Sequence, residues 1–221
     1  MGAMKVKICG LTSLEDALAA VEAGADLLGF NFYASSPRYL EPGQCEQITA
    51  ALRAQRVRTL TVGVFVDEPA SVIAGILQEC GLDLAQLHGD EPPATLEELE
   101  GRAFKAIRPR TAAEADSAVR RYAHIPNGSG PALLVDAYRP GRYGGTGAVG
   151  DWGLAKTLAA DTPILLAGGL TPDNVYAAVA RVSPWGTDVA SGVESNPGKK
   201  DRSKMEAFVQ AVRKYERETS E

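Results

Sequence analysis

Short apolar runs alternate with stretches in which apolar positions recur every three or four residues, from Val6 to Tyr215. The runs predict strands at 6–9, 27–32, 59–66, 84–87, 103–107, 132–136, 163–166 and 186–189. The intervening stretches predict helices at 14–22, within 44–53, and at 69–79, 92–99, 112–122, 152–159, 172–181 and 204–215. Strand and helix in strict alternation mean βαβ units and a parallel sheet. Eight such units in 221 residues predict an α/β fold, a single (β/α)8 TIM barrel. An open doubly wound sheet is the competing arrangement. It is disfavoured because the glycine-rich loops follow strands 7 and 8 rather than strand 1.

The whole chain reads as one domain. Met1 to Ala3 ahead of Met4 look like a cloning remnant, and 216–221 is a charged tail expected to fray. Hydrophobic residues make up 45 % and charged residues 23 %, so a sizeable core is available without staples. The net charge of −5 argues against a nucleic-acid surface, though not against a local anion site. Cys9, Cys45 and Cys80 are too few and too scattered for a disulfide framework, which suits a reducing cytoplasm. No apolar run approaches the ~20 residues of a membrane span. Two histidines and no CxxC pair leave no metal expected. A monomer or a homodimer fits equally well.

Barrels often seat a phosphate between the loops after strands 7 and 8. Here strand 7 ends in Gly168-Gly169, and Thr171-Pro172 then look like an N-cap and first helical position. Strand 8 runs into Ser191-Gly192, which reads as the start of a short helix. A third glycine loop containing Gly145 follows strand 6. Each alone reads as an ordinary turn. Three on adjacent strand ends point to a phosphate site.

Alternation along Val6-Lys7-Ile8-Cys9 turns Lys7 and Cys9 into the barrel and Val6 and Ile8 toward the helices. Cys9 then lies at the C-terminal mouth, either as a small buried hydrophobe or as a reactive thiol beside an ammonium. Lys7 reads first as half of a buried ion pair, with Asp188 as its partner. Asp136 closes an apolar strand, which suits a site-facing acid or a loop anchor. Strands 1 and 6 lie three steps apart, leaving ~8 Å between the two side chains, room for a sugar ring. An acid and a base on opposite faces suit enolisation of a sugar.

These segments together resemble the phosphoribosylanthranilate isomerase family. The resemblance is carried by Lys7-Ile8-Cys9-Gly10-Leu11-Thr12, Gly29-Phe30-Asn31-Phe32 with Ser36-Pro37-Arg38, Val62-Gly63-Val64-Phe65-Val66, and Gln86-Leu87-His88-Gly89. It continues through Gly144-Gly145-Thr146-Gly147, Leu166-Ala167-Gly168-Gly169-Leu170 and Asp188-Val189-Ala190-Ser191-Gly192-Val193-Glu194. It spans Lys5 to about Lys204 and departs at Gly150, where the family pattern has Phe. It implies an Amadori rearrangement of N-(5'-phosphoribosyl)anthranilate in tryptophan biosynthesis, without cofactor. It also implies Asp136 as general acid, Cys9 as general base, and Arg38 on the anthranilate carboxylate through a bidentate pair. By its own sequence context, Arg38 reads more often as a surface residue. His88 would support the site or be a core histidine. Asp188 would position the sugar or balance Lys7.

Two other functions compete with this one. A histidine-pathway isomerase acting on a two-phosphate substrate would need a second anion site in the first half. Asp67-Glu68-Pro69 stands there instead and would repel one. A non-catalytic phosphate-metabolite-binding barrel would be expected to have lost Cys9 or Asp136, and both are present.

Overall fold

The computed structural model describes residues 3–128, 130–136 and 152–219. Eight parallel strands close into a barrel in chain order: β1 (Lys5–Cys9), β2 (Leu27–Asn31), β3 (Leu60–Phe65), β4 (Leu84–Leu87), β5 (Ala103–Ile107), β6 (Leu133–Val135), β7 (Ile164–Leu166) and β8 (Gly186–Val189). Closure is made by β8 pairing with β1, with Lys7 opposite Asp188. The helices are α1 (Leu14–Ala23), α2 (Pro42–Ala54), α3 (Ala70–Glu79), α4 (Pro93–Glu98), α5 (Ala112–Tyr122), α6 (Trp152–Ala159), α7 (Val175–Val182) and α8 (Arg202–Thr219). A small antiparallel ribbon, β9 (Glu194–Asn196) with β10 (Lys199–Lys200), sits between β8 and α8. Among the described residues no helix is long and apolar enough to cross a membrane.

Period-two alternation sorts the apolar residues into two cores. Inside the barrel lie Leu27, Val62, Leu84, Phe104, Leu134 and Leu165. The other strand face, with Val6, Ile8, Leu133 and Val135, packs under the helices. Phe104 is fully buried at the barrel centre, so Phe104→Ala would cost roughly 3–5 kcal/mol. Local signals set the helix ends where they are present. Ser13 caps α1 by accepting from Asp16 N at 3.1 Å, and Gly24 ends it at φ 95°, a left-handed turn open to glycine.

Two predicted boundaries need correction. Thr171 and Pro172 do not start α7, whose first residue is Val175. The Asn174 side chain accepts from Thr171 N (2.8 Å) and donates to Gly169 O (2.9 Å), tying 169–174 into a turn. The last helix does not end at Tyr215 but continues to Thr219. Its final turns are fastened by the Tyr176 hydroxyl on Glu218 (2.5 Å) and by Arg213 on Met4 O (2.6 Å).

Candidate active site

Barrel topology places the ends of β1 and β6 three strands apart on opposite sides of one pocket. Cys9 ends β1, and Asp136 follows β6, its N–H still on the ladder at 2.9 Å from Ile107 O. Both line this pocket, a cavity of about 80 Å³ that opens to solvent at its mouth. Leu134 points into the barrel core, so Asp136, two residues on, points the same way. The expected acid and base therefore share one cavity.

The Lys7 side chain is fully buried, and its Nζ lies 2.7 Å from Asp188 Oδ1, the predicted ion pair. Burial works against the Lys7 charge, but Asp188 and Cys9 outweigh it and raise its pKa above the usual lysine value. Burial pushes the Cys9 thiol up, and the Lys7 ammonium pulls it part of the way back. Room for both groups comes from Gly29 on the neighbouring strand. A Cβ there would lie 2.8 Å from Cys9 Sγ and 3.1 Å from Lys7 Nζ.

His88 follows β4 into the same pocket. Its Nε2 is 3.2 Å from Asp136 Oδ2, close but off the line of a good hydrogen bond. Its Nδ1 faces Gln86 Nε2 at 2.9 Å. An amide donating to Nδ1 leaves the ring proton on Nε2, toward Asp136. Gln86 had no expected role. Its signal was its place two residues before His88 on the inward face of a strand.

The phosphate candidates come together as expected where they are described. Gly168 (φ 91°) and Gly169 (φ 68°) follow β7, and Ser191 and Gly192 open a 3-10 turn, 191–193, after β8. All four line the pocket. Gly192 is required by proximity, since a Cβ there would lie 1.9 Å from Leu170 O. Gly145, its loop and Gly150 lie outside the described residues.

Arg38 also lines the pocket, so the surface alternative does not hold, but its setting differs from expectation. Its Nε and Nη2 donate to Glu194 Oε1 and Oε2, both at 2.7 Å. That side edge cannot take a substrate carboxylate, and only the end edge of the guanidinium is open to one. Glu194 and its second partner Lys200 were the functional candidates that the sequence left unmarked. No local pattern links Arg38 to a glutamate 156 residues away.

Residues 6–211 match the N-(5'-phosphoribosyl)anthranilate (PRA) isomerase family. A phosphoribosylanthranilate isomerase of Magnetococcus marinus is 50 % identical over 212 residues, covering 96 % of each chain. The solved enzyme of Thermotoga maritima superposes with a TM-score of 0.85 at 35 % identity, over 96 % of this chain and 99 % of that one. Another solved isomerase holds reduced 1-(o-carboxyphenylamino)-1-deoxyribulose 5-phosphate. It superposes at 0.82 with 34 % identity, over 96 % and 99 % of the two chains.

Proposed function

Since this chain belongs to the N-(5'-phosphoribosyl)anthranilate isomerase family and isomerises that substrate in tryptophan biosynthesis, we propose that Asp136 and Cys9 carry the reaction as acid and base. The observation that supports this most is their common pocket, entered from strands three apart.

The substrate phosphate sits against the amides of Gly168, Gly169, Ser191 and Gly192. Peptide N–H groups at left-handed glycines suit a dianion. The sugar ring then lies between the two groups. Asp136 gives a proton to the furanose ring oxygen. The bond from that oxygen to C1 breaks, and the nitrogen lone pair forms a Schiff base at C1. The His88 ring, held by Gln86, keeps the Asp136 carboxyl aimed at the ring oxygen. Cys9 removes the proton from C2, and the electron pair moves into a C1–C2 double bond. The enolamine takes a proton at C1 and loses one from the C2 hydroxyl, giving the ketone. The substrate's own imine stores the electrons, so no metal or redox group is needed. Asp188 is held by Lys7 at the pocket floor, where it faces the sugar. The end edge of Arg38 takes the aryl carboxylate.

The enzyme acts on a small molecule, and its three free thiols suit a reducing cytosol. The test is direct. Purified protein mixed with the fluorescent anthranilate substrate should quench its emission as product forms. Cys9→Ala and Asp136→Asn should each remove most of that rate. A folded variant with wild-type turnover would take that residue out of the mechanism.

A further inference from the structure

Arg38 is not a loose cation at the rim. Its stem lies across Gly10, where a Cβ would come 2.4 Å from Arg38 Cδ. Its fork is gripped by both oxygens of Glu194 at 2.7 Å. Glu194 is itself held from the other side. Lys200 Nζ donates to its Oε1 at 2.8 Å and to Ala190 O at 3.1 Å, and Lys204 Nζ holds its backbone carbonyl at 2.8 Å. The ribbon that carries Glu194 and Lys200 is pinned to the mouth by Thr12 Oγ1 on Gly198 O (2.6 Å) and by Lys200 N on Asp16 Oδ2 (3.0 Å).

Three consequences follow. An arginine has five N–H groups, and Glu194 takes two. Of the remaining three, the second hydrogen on Nη2 and one on Nη1 form the end edge of a now fixed plane, and the other on Nη1 points back toward Cδ. The cluster of Arg38, Lys200 and Glu194 carries two positive charges and one negative, a net +1 that one incoming carboxylate balances. Burial raises the Glu194 carboxyl, but Arg38 and Lys200 more than reverse this and hold it below the usual range, so it stays ionised. A guanidinium held in place before binding loses less freedom when the ligand arrives.

We propose that Glu194 is a positioning residue that turns the end edge of Arg38 toward the substrate's aryl carboxylate and thereby sets the preference for carboxylate-bearing substrates. The proposal rests on the reading that Arg38 receives that carboxylate.

The test compares two substrates, N-(5'-phosphoribosyl)anthranilate and the same compound built on aniline, which lacks the carboxylate. In Glu194→Gln, KM for the anthranilate compound should rise about tenfold, with kcat within about threefold of wild type. The kcat/KM for the aniline compound should stay within about twofold of wild type. Arg38→Ala should erase the preference for the carboxylate altogether. Should Glu194→Gln fail to fold, Glu194→Asp keeps the charge on a shorter stem and should show the same split. Equal losses on both substrates in the Glu194 variants, with the preference lost in Arg38→Ala, would overturn the role of Glu194 alone. Equal losses in Arg38→Ala as well would overturn the Arg38 assignment itself.

Discussion

The Lys7 ammonium and the Asp188 carboxylate meet at 2.7 Å beneath the pocket that Cys9 faces, across the β1–β8 seam that closes the barrel. The pair therefore fastens the last strand to the first and places a fixed cation beside the thiol.

One prediction concerns that cation. Burial raises the Cys9 thiol, Lys7 lowers it, and the smaller influence of Asp188 raises it. Activity that needs the thiolate should rise with pH along a limb above the ordinary thiol value. Removing both partners in Lys7→Met/Asp188→Asn takes away more lowering than raising, so the limb should move to higher pH. The rate of Cys9 alkylation against pH, resolved by mass spectrometry, reads this directly. An unmoved or downward-shifted profile would contradict it. Lys7→Met alone strands a buried carboxylate and should cost about 3–5 kcal/mol of stability.

For the acid and base themselves, Cys9→Ala and Asp136→Asn should each cut kcat by at least ~10²-fold. Both changes are small, so the circular dichroism spectrum and melting temperature should stay near those of the wild type. A large melting shift without a loss of turnover per folded molecule would assign these residues to structure.

Gly192→Ala tests the phosphate seat. Its Cβ would enter the space of Leu170 O, so the backbone of 191–193 must shift. KM should rise at least about tenfold, and competitive inhibition by inorganic phosphate should weaken in parallel. Retained phosphate inhibition would place the anion elsewhere.

The loop after β4 offers a pH test of stability. Glu91 accepts from Asp67 N (2.9 Å), Gly89 N (3.0 Å) and Lys105 Nζ (2.8 Å), which fixes the chain next to His88. Burial pushes the Glu91 carboxyl up, but Lys105, and to a lesser extent the Asp67 amide, bring it below the usual range. A carboxyl lowered on folding stabilises fully above its unfolded value, about 4.3, and this is lost as pH falls through the lower folded value. Urea unfolding should show wild type losing more stability than Glu91→Gln as pH drops through that window. Parallel losses would show that the ion pair contributes nothing net.

Much of this was legible in the chain because it is periodic or local. The inward facing of Lys7 and Cys9 follows from alternation within four residues, and the strand runs fell within a residue or two of β1–β8. The glycine pair at 168–169 announced itself by composition. What stayed hidden depends on contacts between distant segments. Asn174 overrides a good Thr-Pro helix start by knotting its own turn. Glu194 takes the edge of Arg38 that seemed open to a ligand, and only the closed fold brings them together. The tail that looked free to fray gains partners in Tyr176 and Met4 once α8 packs beside β1.

That last packing has a practical side. Met4 precedes β1 at the foot of the barrel, and the final turns of α8 come down beside it, with Glu216 bonded to the Met4 amide. The two ends of the described chain are thus neighbours on the face opposite the catalytic mouth. A partner enzyme fused at either end would hang below the barrel and leave substrate entry clear. A short linker joining those ends would permit circular permutation, with new termini opened in an outer loop.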